Sequence, residues 1–316
     1  MTTLKTAPKD VGDMKEKEFL DHLARTASDQ AKARSEPVDR VRKKIAFQLL
    51  LARLATAASS EYTLKGGYAI EIKFGIVRAT KDIDLITRTL MRAAFAKDFA
   101  TAASLMRQKL VNQLAYPVGP EDRLVRFRVE DDIKAIHGRG GGVQLSARMM
   151  VGNQRYTEFS IDLSLEDIKN PVHELVPIYS MVAGVPNPPD IETLANEQIL
   201  AEKLHAYMRN GQEFKSRPKD LADLVLIAGT GIDLAKARRL IGEVFTFWLE
   251  DETTRGLKSL PPTPSTAEAM QPPPEAWLDE YQRLAAGMGI TDDMNAGWRA
   301  VRDLLAKILH QKGSQS

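Results

Sequence analysis

The chain has 316 residues, of which 43% are hydrophobic and 27% are charged, and its formal net charge at pH 7 is +2. This composition is typical of a soluble globular protein with about two domains, and the small net charge excludes a global electrostatic attraction to nucleic acid or membranes. The absence of cysteine excludes disulfides, thiolate catalysis and cysteine-ligated metal sites. No apolar stretch is long enough to cross a bilayer and no signal segment is evident, so we expect a cytoplasmic protein without membrane contact.

The first half of the chain predicts a mixed α/β domain. Residues 1–36 are polar and rich in Ala, Lys and Asp, and we expect a mobile lead with at most one weak helix. Apolar residues then recur at helical spacing over residues 39–60 and again over 91–114, which predicts two core helices. Three segments of alternating apolar and polar residues follow, and a Gly152-Asn153-Gln154 connection between the last two predicts a β-hairpin.

The second half predicts a helical domain. A proline-rich joint at residues 184–192 marks the expected boundary, with the α/β domain over 37–185 and the helical domain over 190–316. We expect the helical domain to begin with a helix over residues 191–209. A second proline-rich joint at 260–275 precedes two amphipathic closing helices.

Two aspartates in one predicted strand are the first candidates for chemistry. Because strand side chains alternate between faces, Asp82 and Asp84 should project from one face together with Thr80. Two neighbouring carboxylates repel each other unless water solvates them or a cation lies between them. Mg²⁺ binds through few carboxylates and completes its shell with water and substrate phosphates. The pair therefore predicts a metal site for phosphate chemistry, although D-x-D also occurs as a solvated strand end.

A glycine pair precedes these aspartates by about fifteen residues. Because Gly66 and Gly67 have no Cβ atom, a turn at this position can bring backbone N–H groups close to phosphate oxygens. A plain tight turn is the alternative.

Together these motifs resemble the nucleotidyltransferase fold, in which a glycine turn opens a helix and D-x-D follows on the next strand. Within that fold they resemble the AbiEii/AbiGii family of nucleotidyltransferase toxins, since the chain reads K-G-G-Y-A-I from Lys65 and R-A-T-K-D-I-D-L from Arg78. Tyr68 departs from the family, which has a small hydroxyl residue here that contacts the nucleotide phosphates. Residues 68–74 alternate like a strand, but the resemblance implies a helix.

Two further segments extend the resemblance across most of residues 39–230. In T-E-F-S-I-D-L-S-L, alternation places Asp162 on the polar face of a strand. The resemblance implies a third carboxylate there, which either completes the metal site or accepts the proton of the attacking hydroxyl. A solvated strand aspartate is the alternative.

The second segment is a predicted helix with a lysine inside its apolar arc. Lys203 in A-E-K-L needs an anionic partner if it points inward, whereas a snorkelling stem is the alternative. The resemblance implies that this lysine lines the nucleotide cleft and meets the triphosphate. Downstream, R-P-K-D-L-A-D-L resembles a family motif that makes Asp220 a catalytic-site aspartate, with Asp223 one helical turn later. Asp220 would also compensate the dipole at the start of its helix.

The sequence therefore predicts an α/β (α+β) fold, with a small mixed nucleotidyltransferase-like sheet, flanking helices and a C-terminal helical lobe. The resemblance implies an Mg²⁺-dependent nucleotidyltransferase that moves NMP from an NTP to a hydroxyl, as the toxin of a toxin–antitoxin pair of the abortive-infection type. Its expected partners are a cognate antitoxin protein and RNA such as tRNA. The alternatives are a degenerate nucleotidyltransferase that binds nucleotide or protein without turnover, and an enzyme with a small-molecule acceptor.

The expected site residues fall into three overlapping groups. The expected nucleotide contacts are Lys65, Gly66, Gly67, Thr80 and Lys203. The expected catalytic residues are Asp82, Asp84, Asp162, Lys203 and Asp220. The expected metal ligands are Asp82, Asp84 and Asp162.

Overall fold

The computed structural model describes residues 10–58, 61–76, 80–88, 98–136, 141–165, 171–209, 218–254 and 261–310. The described α-helices are α1 (Glu16–Arg34), α2 (Val38–Ala58), α3 (Gly66–Phe74), α4 (Phe99–Leu114), α5 (Asn196–Met208), α6 (Pro218–Ala228), α7 (Leu234–Thr254), α8 (Leu278–Met288) and α9 (Met294–His310). The described strands are β1 (Tyr62–Lys65), β2 (Asp82–Thr87), β3 (Val125–Ala135), β4 (Gly142–Val151), β5 (Gln154–Leu165), β6 (His173–Val176) and β7 (Ile191–Leu194). Short 3-10 helices lie at Val11–Asp13, Pro120–Arg123, Ala267–Ala269 and Glu275–Trp277.

The chain divides into two compact units. The α/β unit takes residues up to 73 together with 79–166 and 175–193. The helical unit takes the chain from Leu194 onward together with the short segments 74–78 and 167–174. The α/β unit extends as far as Thr193 because residues Ile191–Leu194 form strand β7, which pairs with β1. The predicted helix from residue 191 is therefore wrong in its first residues, and α5 begins only at Asn196.

The α/β unit is organised around a mixed sheet with the strand order β3-β4-β5-β2-β1-β7-β6. Strand β2 runs antiparallel to β1 and parallel to β5, while β4 pairs antiparallel with both β3 and β5. On one face, Ile83 and Leu85 of β2 and Ile161 of β5 are fully buried in a core to which α2 also contributes. The opposite face is therefore left to the polar residues of the same strands, as predicted.

The N-terminal segment corrects the prediction of a mobile lead over residues 1–36. From Asp10 onward the chain is ordered into a 3-10 helix and the 19-residue helix α1. Phe19, Leu23, Ala27 and Ala31 follow each other at intervals of four residues and are all buried in the α/β core. This i, i+4 spacing forms one apolar stripe, which the polar average composition of the segment conceals.

Several other predicted elements are present. Strands β4 and β5 form the predicted hairpin, with Gly152 at φ +57 in the two-residue turn between Val151 and Gln154. The described part of the helix predicted over 91–114 is α4, whose N-cap Asp98 accepts a hydrogen bond from the Thr101 amide at 3.2 Å. Residues 91–97 lie outside the described ranges.

The helical unit ends as predicted, in two amphipathic helices after the second proline-rich joint. Tyr281 of α8 and Val301, Leu305 and Ile308 of α9 are buried, at the helical spacing that predicts a core stripe. Among the described helices, none is both long and apolar enough to cross a membrane.

A buried lysine shared by two carboxylates fixes the position of α3. The Lys44 ammonium on α2 contacts both Glu36 and Glu71, and the three side chains are 3%, 0% and 5% exposed. Burial raises the pKa of the Glu71 carboxyl to about 7; Lys44 lowers it and Glu36 raises it. Burial outweighs the attraction of Lys44 and Arg34, so the cluster favours a protonated Glu71 below about pH 7.

We expect this cluster to make stability depend on pH. The folded-state pKa of Glu71 lies above the ordinary value of 4.5, so its contribution to stability is present below pH 4.5 and lost as pH rises through 7. Glu71→Gln should remove this dependence of the free energy of unfolding on pH. The difference in the free energy of unfolding between the variant and wild type should therefore grow in favour of the variant by up to about 3 kcal/mol from pH 4.5 to pH 8. Urea denaturation at several pH values measures the difference.

The comparison variant is Lys44→Met, which leaves two carboxylates buried without their cation. It should lose about 3 to 5 kcal/mol of stability near neutral pH. Parallel pH profiles for wild type and Glu71→Gln would contradict the assignment of the titrating group to Glu71.

Candidate active site

The polar face of the sheet brings three aspartates onto adjacent strands. Asp82 and Asp84 are partly exposed, whereas Ile83 between them is fully buried. In the parallel pairing of β2 with β5, Asp84 is the Cα partner of Asp162 and Asp82 is the partner of Ser160. Because register partners project to the same side of a sheet, the three carboxylates share one face.

The Asp84 carboxylate lies directly against the backbone of Gly66. Lys65, the last residue of β1, is the Cα partner of Asp84, and α3 begins at the next residue. Gly66 has a φ of +70, and a Cβ atom there would lie 1.9 Å from Asp84 Oδ2. Only glycine fits this position, both because of its backbone conformation and because of the space. The arrangement places a carboxylate at the N-terminus of a helix, where the helix dipole stabilises negative charge.

Asp162 is coupled to its neighbours on the same face. Its Oδ1 accepts a hydrogen bond of 2.8 Å from Gln144 Nε2 on β4. Burial raises the pKa of the Asp162 carboxyl, the Gln144 hydrogen bond lowers it, the Asp82 charge raises it and the Lys65 charge lowers it. Asp162 therefore lies close enough to feel the charges of Lys65 and Asp82, although both are far from it in sequence.

Thr80 lies two residues before Asp82, just ahead of the first residue of β2. Its side chain is buried, and its Oγ1 has no hydrogen-bond partner within the described part of the chain. A buried hydroxyl without a partner costs free energy, which is consistent with a ligand contact here. Arg78 of the same motif lies outside the described residues.

Tyr68 turns away from the polar face into the core. It is 2% exposed, its ring packs edge-on against Phe47 at a centroid distance of 5.0 Å, and its hydroxyl donates to the Lys44 carbonyl at 3.5 Å. Burial raises the pKa of the Tyr68 hydroxyl. The tyrosine therefore does not replace a small hydroxyl group at the helix N-terminus. Residues 66–74 form the helix that the resemblance implies, not the strand that the alternation suggests.

In the helical unit, Lys203 has acidic partners within the protein. Its Nζ lies 2.9 Å from Asp220 Oδ1 and 2.7 Å from Asp223 Oδ2. Asp223 is fully buried and Lys203 is 20% exposed. The lysine is thus held between α5 and α6 by an ion pair with each aspartate, and does not snorkel freely into solvent.

The aspartates of the polar face are the candidate ligands of a metal ion. No group of three or more Asp, Glu or His side chains in the described ranges is arranged to hold a metal ion. Asp82 and Asp84 on one strand face nevertheless suit Mg²⁺, which needs only one or two protein carboxylates when phosphates and water supply the remaining oxygens. The residues present fit that ion as part of a metal–nucleotide complex.

Sequence reasoning missed two contacts. Gln144 stands at a polar-face position of the alternating segment V-Q-L-S-A-R, so its strand phase could have indicated a place on the aspartate face. The pairing of Asp223 with Lys203 follows from packing between two helices, and no local signal marks it.

Comparisons with known proteins indicate the family and the fold of the chain. The family model for the nucleotidyl transferase AbiEii toxin of type IV toxin–antitoxin systems matches residues 48–307. Among solved structures, the chain is similar to MenT4, a nucleotidyltransferase toxin from Mycobacterium tuberculosis H37Rv, with 19% identity, a TM-score of 0.50, and coverage of 92% of this chain and 99% of that one. This likeness supports the fold.

A second similar structure is JHP933 from Helicobacter pylori, with 13% identity, a TM-score of 0.44, and coverage of 85% of this chain and 90% of that one. A comparison with curated protein sequences finds no significant match. Because the family model covers most of the sequence, from residue 48 to residue 307, the chain belongs to the AbiEii family of nucleotidyltransferase toxins.

Proposed function

We propose that this protein transfers a nucleoside monophosphate from an NTP to a hydroxyl group of RNA such as tRNA, and that pyrophosphate leaves. The observation that carries the proposal is the shared sheet face of Asp82, Asp84 and Asp162, with Gly66 packed against Asp84. The two carboxylates of Asp82 and Asp84 on one strand face favour cation binding, and a glycine turn at a helix N-terminus favours phosphate binding.

In this proposal Asp82 and Asp84 hold Mg²⁺. Bound there, the ion would neutralise triphosphate charge and lower the pKa of an acceptor hydroxyl. The aspartates would thereby orient the α-phosphate for attack in line with the leaving pyrophosphate.

The triphosphate is assigned to the turn between β1 and α3. Backbone N–H groups at Gly66 and Gly67 open α3 and can donate to phosphate oxygens. The Lys65 ammonium would add positive charge beside them. The Thr80 hydroxyl, which has no partner among the described residues, would donate to the same ligand.

Asp162 is the preferred general base. Its raised pKa makes it a better proton acceptor than an ordinary aspartate. It would take the proton of the acceptor hydroxyl as the oxygen attacks the α-phosphorus, and the bond to the bridging oxygen of pyrophosphate would break. Asp220 remains the second candidate for this role.

Lys203 is assigned to charge neutralisation on the triphosphate, with Asp220 and Asp223 holding its ammonium in position. The two carboxylates offset part of the lysine's charge, so its effect on a triphosphate should be smaller than that of an unpaired lysine. We further propose a cytoplasmic location and a cognate antitoxin that holds the toxin in check.

A degenerate member that binds nucleotide without turnover is the second candidate function. The burial of Tyr68 favours it, because no small hydroxyl is then present at that position of the helix N-terminus. A small-molecule hydroxyl acceptor would use the same aspartates.

The direct test incubates the purified protein with each labelled NTP, Mg²⁺ and total RNA. We expect label on RNA, and we expect Asp82→Ala to lower transfer by about 10³-fold, equivalent to about 4 kcal/mol of transition-state stabilisation. Asp303→Ala, an exposed aspartate of α9, is the matched control and should transfer normally. Full transfer by Asp82→Ala would refute the proposed metal role, whereas bound nucleotide without any transfer by wild type would favour the degenerate member.

The contact between Gly66 and Asp84 can be tested with paired glycine variants. Gly66 and Gly75 have similar φ values of +70 and +64, but a Cβ atom at Gly75 would meet nothing within 4 Å. Each substitution to alanine should cost about 1 to 2 kcal/mol for the left-handed backbone. Only Gly66→Ala should also displace the Asp84 carboxylate and lower nucleotide binding and transfer by about 100-fold or more. Equal transfer by the two variants, at equal stability, would show that the contact does not matter.

The identity of the base can be read from the pH dependence of kcat. Gln144→Leu removes the hydrogen bond that lowers the Asp162 pKa, so the acid limb of the profile should move to higher pH if Asp162 accepts the proton. Gln154→Leu changes an exposed glutamine at the start of β5 and should leave the limb in place. An unmoved limb in Gln144→Leu, with activity abolished in Asp220→Asn, would assign the base to Asp220.

A further inference from the structure

A cavity of about 400 Å³ adjoins the row of aspartates in the α/β unit. Its polar lining comes from Lys43, Lys81, Arg148, Glu158, Ser146 and Ser160. Lys81 immediately precedes Asp82, and Ser160 is the Cα partner of Asp82 in the sheet. The cavity therefore borders the Asp82 end of the aspartate row.

The lengths of two strands explain why this space exists. β2 begins at Asp82, which pairs with Ser160, whereas β5 begins six residues earlier at Gln154. Glu158 and Phe159 of β5 thus lie beyond the pairing with β2, and both line the cavity. The chain leaves room beside β5 at the point where β2 starts.

The charged lining is positive on balance. Lys43, Lys81 and Arg148 line the cavity with one carboxylate, Glu158. That carboxylate is already engaged by Arg155 at 2.8 Å, outside the lining, and more weakly by Arg148 at 3.8 Å. Lys81 is exposed and forms no ion pair with any residue in the described ranges.

The carboxylates that pair with Lys43 and Arg148 offset this charge only in part. Lys43 is 3.7 Å from Asp39, whose side chain is 73% exposed, and exposed pairs of this kind contribute little. Arg148 lies 3.1 Å from Glu130 on the neighbouring strand, which holds its guanidinium in place. A positive cavity with two serine hydroxyls offers the donors that phosphate groups require.

We propose that this cavity is the acceptor subsite and binds a backbone phosphate of an RNA strand whose hydroxyl is presented at Asp82. This inference rests on the proposed function and deepens it, because it separates the position of the triphosphate from that of the acceptor backbone. The triphosphate is assigned to the Gly66 turn and Thr80, and the acceptor backbone to the cavity lined by Lys81 and Ser160.

The charge of the cavity also selects between acceptor classes. An aminoglycoside-like acceptor carries several ammonium groups, which Lys43, Lys81 and Arg148 would repel. An RNA strand gains affinity from the same three cations by releasing its counterions. The acceptor is therefore polyanionic, and small polycationic molecules are excluded from this subsite.

The test uses the full chain with a 20-nucleotide single-stranded RNA ending in a free 3′ hydroxyl. Lys81→Gln and Arg148→Gln are made singly and together, so that charge is removed without adding bulk. The double variant should raise the KM for this RNA by at least about tenfold and lower the slope of log affinity against log salt by about 1.4, or about 0.7 per lost contact. The KM for the NTP should change less than about twofold.

The control variant is Lys17→Gln with Arg283→Gln, which removes the same charge from exposed positions of α1 and α8 that do not line the cavity. It should keep the wild-type KM for RNA. The inference is overturned if the double variant binds RNA like the control, or if its KM rises for the NTP and pyrophosphate competes with RNA for the cavity. Equal losses in both double variants would show a diffuse charge effect and would also overturn it.

Failure of the proposed function is separable from failure of this inference. If wild type transfers no nucleotide to any RNA, the transfer reaction is wrong. Retention of the labelled RNA on filters still measures RNA binding at the cavity. Weaker RNA binding confined to Lys81→Gln and Arg148→Gln supports the subsite, and unchanged RNA binding in these variants refutes it.

Discussion

The approach of the Asp84 carboxylate to the Gly66 backbone is the contact on which the candidate site depends. It requires β1 to end beside β2, α3 to start in a left-handed backbone conformation, and the residue at the turn to have no side chain. A carboxylate placed there lies at the positive end of α3 and also beside Asp162 on the next strand. The helix dipole offsets part of the repulsion among the carboxylates, and a bound cation would offset more of it.

The same sheet separates folding from chemistry by its two faces. Ile83, Leu85 and Ile161 bury one face and anchor the strands, so that the alternate residues are fixed in position without contributing to the core. Asp82, Asp84 and Asp162 therefore stand on a rigid support, and electrostatic preorganisation of this kind needs little rearrangement during a reaction. The row extends from the Gly66 turn to the Asp82 end of β2, beside the cavity that Lys81 and Ser160 line.

Each unit contains a buried or partly buried lysine shared by two carboxylates. Lys44 of α2 contacts Glu36 and also Glu71 of α3, and Lys203 of α5 contacts Asp220 and Asp223 of α6. Such clusters stabilise little in total, because desolvation opposes the attraction, but loss of one partner is costly. They therefore favour one specific packing of their helices over alternatives. At Lys44 this packing includes α3, whose first residue is the glycine that contacts Asp84.

The sequence by itself determined the features that depend on local geometry. Strand alternation placed Asp82 and Asp84 on one face, the turn at Gly152 predicted the hairpin, and the order of motifs indicated the family. Each of these follows from the spacing of residues that are close along the chain.

Only the tertiary structure decided the features that depend on distant partners. The 191–194 segment became a strand because β1 was available to pair with it, and α1 became part of the core because its stripe at Phe19 found an apolar surface. Tyr68 turned inward to pack on Phe47, and Lys203 acquired partners from another helix. Short sequence patterns allow more than one secondary structure and more than one side-chain direction, and long-range burial and pairing choose among them.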